Sequence, residues 1–205
     1  MLLLNTVNNI IYRFLNPTIA LLGMVGLLIF WIIKKRLPSI RVLKIFFWLV
    51  LISLLFQSLY LSIVHILAWK TSLIGKALLP PIAPQSYSLR YAFLHFWKRN
   101  LFTIIGSLIF VFSVNFLNKK FKERFFYQEE IYLMGLGLLW NPWPGLVVFL
   151  LLTLISFLII QIINIFSFKK ERISMLYLWI PCSLLSFFIT YAILRHIPYL
   201  NSLFI

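Results

Sequence analysis

The chain has 205 residues, 62% of them apolar and only 11% charged. Soluble domains carry roughly 25% charged and roughly 45–50% apolar residues, so a soluble enzyme, a disordered tail and a secreted disulfide scaffold are excluded. Nineteen Lys and Arg stand against four Glu and no Asp, for a formal charge of +15. Basic nucleic-acid binders are not two-thirds apolar, so nucleic acid is not an expected partner. Positive residues clustered between apolar runs act as topology signals and as contacts to anionic lipid head groups. The expectation is an all-α, polytopic membrane helix bundle, a single membrane domain over 1–205.

Residues 1–16 set Leu3, Leu4, Val7, Ile10, Ile11, Phe14 and Leu15 at helical spacing around Asn5, Asn8, Asn9 and Arg13. That pattern predicts a short amphipathic helix in the membrane interface. It has no basic start and no small-residue cleavage site, so no cleavable signal peptide is expected. Pro17 ends it, because proline disfavours helix in the residue before it. The first span covers 18–33 and is closed by Lys34, Lys35 and Arg36, with Arg41 and Lys44 following. The second, 45–69, contains Gln57, Ser58, Ser62 and His65.

Pro80, Pro81 and Pro84 mark 70–100 as a non-helical connection, whose aromatic stretch Tyr87–Trp97 suits the headgroup level. A third span, 101–117, lies between Lys98-Arg99 and Lys119, Lys120, Lys122 and Arg124. Next come a short apolar stretch over 129–143, a breaker at Asn141-Pro142-Trp143-Pro144 and a clean span over 145–166. Lys169, Lys170, Glu171 and Arg172 precede the last span, 175–194. The lone Cys182 excludes an internal disulfide and a multi-cysteine metal site.

Span number turns on 129–143, which is short of the ~17 residues of an unaided crossing. With five spans the basic residues divide ten against nine between the two sides. With six they divide twelve against seven, with 34–44, 118–130 and 169–172 on the richer side. The positive-inside rule therefore predicts six spans in the cytoplasmic membrane, those connections cytoplasmic and both termini outside. Lys34, Lys35, Arg36, Lys119, Lys120, Lys169 and Lys170 are the expected contacts to anionic lipid.

Chemistry has few places to live. Glu123 stands four residues after Lys119, the spacing of a solvated helix pair, and Glu171 sits inside a basic loop. Glu129 and Glu130 directly precede an apolar helix, where first-turn carboxylates favour the positive end of the dipole. Glu130, Met134, Gly137 and Asn141 also share one helical stripe, a pattern suited to the bundle interior. Glu129 shares a different stripe with Leu133, Leu136 and Trp140, lipid-facing or packed. Gln57 and His65 are further candidates for polar lining. His65, His95 and His196 are isolated, and no metal-binding, phosphate-cradling or serine-nucleophile motif is present, so neither metal nor cofactor is expected.

Residues 129–146, Glu-Glu-Ile-Tyr-Leu-Met-Gly-Leu-Gly-Leu-Leu-Trp-Asn-Pro-Trp-Pro-Gly-Leu, resemble the region of the type IV prepilin peptidase family that follows its Gly-x-Gly-Asp motif. Lys-Lys-Glu-Arg-Ile-Ser-Met-Leu-Tyr-Leu, 169–178, resembles that family's basic loop before its last helix. The resemblance covers about 75 residues at the C-terminal end. It implies a membrane helix bundle engaging pilin-like transmembrane segments through a pair of embedded aspartates.

This chain departs from it at the chemistry. Phe126-Tyr127-Gln128-Glu129 replaces Gly-x-Gly-Asp, and Glu129 falls at the aspartate's position when Gly137 is aligned, whereas the helical stripe favours Glu130. The third span offers only Ser107, Ser113 and Asn115 where a second aspartate would be sought, and the family's cysteine-rich zinc loop is missing. A dyad needs two carboxyls sharing a proton. The expectation is therefore a non-catalytic binder of pilin-like helices, with Glu129 and Glu130 as weak catalytic candidates. The competing expectation is an unrelated transport or assembly-scaffold component.

Overall fold

From Ile40 to Thr71 the sequence contains neither glycine nor proline, and in the computed structural model these 32 residues form one uninterrupted helix. The structure describes residues 16–34, 38–80, 85–121, 126–167 and 178–193. Among them no strand occurs, and the fold is all-α. The helices are α1 (Asn16–Lys34), α2 (Ile40–Thr71), α3 (Leu73–Ala77), α4 (Gln85–Ala92), α5 (Lys98–Lys120), α6 (Gln128–Trp140), α7 (Gly145–Ser167) and α8 (Trp179–Phe188). A π-helical turn, Phe93–Trp97, joins α4 to α5, and another, Ile189–Ile193, extends α8.

Among the described residues three helical stretches are long and apolar enough to cross a membrane: Ile40–Thr71, Tyr87–Lys120 and Gly145–Phe166. Their outer faces carry Phe56, Phe102, Phe112, Phe116 and Phe166, all more than half exposed. A monomer in water rarely tolerates such a continuous apolar surface. The surface is that expected of a membrane protein in contact with lipid tails.

Specific contacts set the helix directions. Asn100 at the start of α5 and Trp97 just before it bond Ser58 and Ser62 in the second half of α2, so these helices run antiparallel. Asn118, near the end of α5, holds Phe126 by two bonds, from its Nδ2 to the carbonyl and from the Phe126 N–H to its Oδ1. Further along, Ser107 donates to the Gly135 carbonyl, and the Trp143 N–H donates to Thr103. α6 thus runs back along α5. Phe149 of α7 packs at Gly137, turning the chain round again. Ser186 of α8 meets the Gly145 carbonyl while Cys182 lies by Ser156, so α8 opposes α7.

Two ends result. Lys34, Arg41, Lys44, Lys119 and Lys120 lie at or near the basic end, while the 141–145 turn, Arg99 and Tyr191 mark the opposite, turn end.

α6 occupies the middle. Every residue from Glu130 to Trp140 is buried except Tyr132, which is partly so. A helix apolar on all faces needs cover on all faces. Here α1, α2, α5, α7 and α8 supply it. Gly135 faces Val111 and Phe47, where an added Cβ would stand 2.7 and 2.8 Å from their side chains. Glycine lets three helices approach at that point.

Several helix limits differ from the sequence expectation. α1 is described from Asn16, and residues 1–15 of the expected interfacial helix lie outside the described set. The larger difference concerns 70–100, expected to be non-helical. After Pro84 nothing breaks the chain, and Gln85–Lys120 is helical throughout with one π turn. Proline ends a helix only locally, and the aromatic composition of 87–97 conceals a helical backbone. α6 ends at Trp140, not 143, because Pro142 and Pro144 lack the N–H that would continue it.

Candidate functional site

The most polar buried region surrounds the turn that follows α6. A chain reversing among apolar helices must satisfy its own backbone, since lipid cannot. Asn141 Nδ2 donates to the Gly137 carbonyl at 2.8 Å, a second bond beside the one from the Asn141 N–H to the same oxygen at the helix end. The same amide donates to Ser183 Oγ at 2.8 Å, and Ser183 in turn donates to Met24 Sδ at 3.3 Å. The Gly145 N–H bonds the Pro142 carbonyl, and Ser186 Oγ donates to the Gly145 carbonyl at 2.9 Å. Thr103 Oγ accepts from the Trp143 N–H at 3.2 Å and donates to the Arg99 carbonyl at 2.9 Å. The Trp143–Pro144 peptide bond is cis.

Three helices therefore hold one turn. Within this network Asn141 Oδ1 and Thr190 Oγ are buried without a hydrogen-bond partner, although Asn141 is 1% and Thr190 2% exposed. Thr190 stands beside Gly145, where a Cβ would lie 3.1 Å from its hydroxyl oxygen. At the rim, Arg99 Nη2 donates to the Tyr191 hydroxyl at 2.7 Å.

Glu130 lies at the other end of α6 and is 2% exposed. Its Oε2 accepts from the Tyr127 N–H at 2.9 Å, satisfying a donor at the helix start. Glu129 is partly exposed, while its stripe-mates Leu133, Leu136 and Trp140 are buried, packed and not lipid-facing. Glu130, Gly137 and Asn141 do share the enclosed helix, but α6 separates the carboxylate from the amide. Gly137 is filled from outside by the Phe149 ring.

On α2 the polar face is Ser58 and Ser62, both buried, whereas Gln57 is only partly buried. His65 is likewise partly buried and lies in an aromatic cluster at the turn end. Its ring stacks on Tyr91 at 4.9 Å and 6°, and His95 stacks on Tyr91 at 3.9 Å and 10°. Trp69 packs 4.6 Å from His65. Of the expected lipid contacts, Lys34, Lys119 and Lys120 are exposed at the basic end; Lys35, Arg36, Lys169 and Lys170 lie outside the described residues.

The third span's polar residues divide similarly. Ser107 is buried and bonded to Gly135, Asn115 is partly buried and Ser113 is exposed. Among the described residues no group of three His, Cys, Asp or Glu could hold a metal ion. Comparison with protein families, curated proteins and solved structures finds no match.

The sequence reading did not single out Asn100, Thr103, Asn118, Ser183, Ser186 or Thr190. A signal existed. Ser183, Ser186 and Thr190 follow at steps of three and four, as do Asn100, Thr103 and Ser107. Each set is a polar stripe on an otherwise apolar helix, the pattern of a face turned towards protein.

Proposed function

We propose that this chain is a multi-pass protein of the cytoplasmic membrane, a prepilin peptidase-like bundle without hydrolytic chemistry that binds pilin-like transmembrane helices. The observation that carries this reading is the engagement of Glu130. This buried carboxylate, favoured by the helical stripe and next to the Glu129 that falls at the peptidase family's aspartate position when Gly137 is aligned, is bonded to the Tyr127 N–H as a helix cap. A carboxyl dyad needs a second acid at close range. Here the residue of α5 that meets this segment is Asn118, an amide, and it bonds the Phe126 backbone. The apolar outer faces of α2, α5 and α7 are suited to packing against another apolar helix.

A second reading, an unrelated transport or assembly component, draws support from the unpaired buried atoms Asn141 Oδ1 and Thr190 Oγ at the turn. Polar groups at membrane depth are costly and often mark a pathway.

Co-reconstitution of the purified protein with a prepilin in liposomes, with photo-crosslinking from position 112, separates these readings. The expected result is an intact prepilin crosslinked to the chain. Leader cleavage that disappears in Glu129→Gln or Glu130→Gln restores the peptidase. Solute flux without crosslinking supports transport.

A further inference from the structure

We propose that Arg99, together with Tyr191, binds the phosphate group of a membrane phospholipid at the turn end of the bundle. The inference rests on the membrane reading but is independent of pilin binding. Arg99 is partly buried, and its guanidinium is pinned by the 2.7 Å bond from Nη2 to the Tyr191 hydroxyl. Its Nε is buried with no partner, and no carboxylate pairs with it among the described residues. A guanidinium nitrogen buried without a partner is costly, and an anion at the partly exposed fork offsets that cost.

Among the described residues no acid lies near Arg99. The described acids, Glu129 and Glu130, start α6 at the basic end, where Asn118 holds the preceding segment. Asn118 follows Arg99 by nineteen positions along α5, roughly 28 Å at 1.5 Å per residue. At that distance an ion pair is out of reach.

The local chemistry selects the ligand. Arginine presents a planar fork that matches two phosphate oxygens. Tyr191 receives the Arg99 bond on its oxygen, and its own hydroxyl hydrogen has no acceptor among the described residues, so it adds a donor beside the fork. Depth selects the source. Arg99 directly precedes the apolar stretch of α5, and Trp143, 39% exposed, bonds through its N–H to Thr103 one turn further along. An aromatic residue level with a basic one is the signature of the headgroup zone. There the abundant anion is a phosphodiester.

The test uses the full chain in neutral detergent and follows thermal unfolding and phospholipid retained per chain by native mass spectrometry. Phosphatidylglycerol, diacylglycerol and inorganic phosphate are added in separate arms. Wild type should be stabilised by phosphatidylglycerol and not by diacylglycerol. Arg99→Gln should retain about one phospholipid fewer and need roughly tenfold more phosphatidylglycerol for the same shift, the loss of one charge-assisted contact. Arg99→Lys should fall between the two. Tyr191→Phe keeps the ring packing and should weaken the response if Arg99→Gln fails to fold. Lys98→Gln, an exposed neighbour, is the control for general charge. Stabilisation by inorganic phosphate equal to that by lipid keeps the anion site and assigns it to free phosphate. Equal lipid retention and response in wild type, Arg99→Gln and Tyr191→Phe would overturn the proposal, as would an equal shift with diacylglycerol.

Discussion

Asn141, at the end of α6, reaches Ser183 of α8 through its amide nitrogen at 2.8 Å, joining residues 42 positions apart in the buried centre. The bond also ties the cap of one helix to the polar stripe of another. Removing the Asn141 amide leaves the buried Ser183 oxygen without its donor, while the Gly137 carbonyl keeps the backbone N–H of residue 141 and loses only its second bond. A buried polar group left without its partner costs about 1–3 kcal/mol. Asn141→Leu should therefore lower the unfolding temperature clearly in detergent, and Ser183→Ala less so. The double variant should lose less than the two single losses added, since the residues share one interaction. Strict additivity would show that the bond contributes nothing.

The glycines of this chain are not equivalent, and alanine should reveal it. At Gly135 a methyl group meets Val111 and Phe47 at under 3 Å, so one of them must move. Overpacking of this kind costs about 1–3 kcal/mol. At Gly26 nothing lies within 4 Å of an added Cβ. There the helix-propensity advantage of alanine, about 1 kcal/mol, should be felt in full. The expected outcome is opposite signs: Gly135→Ala lowers the unfolding temperature and Gly26→Ala raises it. The same sign at both positions would contradict the packing around α6.

Glu130 and Glu129 should likewise separate. Glu130→Leu removes a buried acceptor and exposes the Tyr127 N–H to an apolar neighbour, a loss of about 1–3 kcal/mol. Glu129 is partly exposed, and its favourable placement at the helix start is worth about 0.3–1 kcal/mol. Glu130→Gln retains an acceptor for the Tyr127 N–H and should recover part of the stability. Equal small losses for Glu129→Leu and Glu130→Leu in thermal unfolding would remove the structural role assigned to the cap.

The all-α class was legible because a chain so apolar and so poor in charge has few other solutions. The stripe of Glu130, Gly137 and Asn141 was readable from spacing, since three of its positions would make poor contacts with lipid. What spacing could not show is that α6 is enclosed on every side. Leu133, Leu136 and Trp140 are as apolar as a lipid-facing row, and hydrophobicity does not distinguish a lipid neighbour from Phe47 or Phe149. Gln57 and His65 illustrate the converse. Both are polar and lie within an apolar run, yet the face turned to α5 is that of Ser58 and Ser62. Small hydroxyls can bond their own helix backbone, as Ser62 does to Ser58, which makes them inconspicuous as interface residues. Only the partners, Asn100 and Trp97, give them that role.

The last expectation concerns orientation. The described basic residues divide evenly: Lys34, Arg41, Lys44, Lys119 and Lys120 towards one end, Lys70, Lys76, Arg90, Lys98 and Arg99 towards the other. The bias comes from the connections, where Lys35, Arg36, Lys122, Arg124, Lys169, Lys170 and Arg172 outnumber Arg13 and Arg195 in the terminal segments. Short connections near span ends are where the positive-inside rule operates. Ser39 and Lys120 are exposed towards the basic end, and Tyr87 is 45% exposed towards the turn end. Single cysteines at these positions, in a Cys182→Ala background, should therefore label differently in intact cells. An impermeant maleimide should reach Tyr87→Cys at once, and Ser39→Cys and Lys120→Cys only after the membrane is opened. If Ser39→Cys and Lys120→Cys label on opposite sides, the antiparallel path through α2 and α5 is wrong. If both label from outside while Tyr87→Cys is protected, the path stands and the charge rule has been overridden.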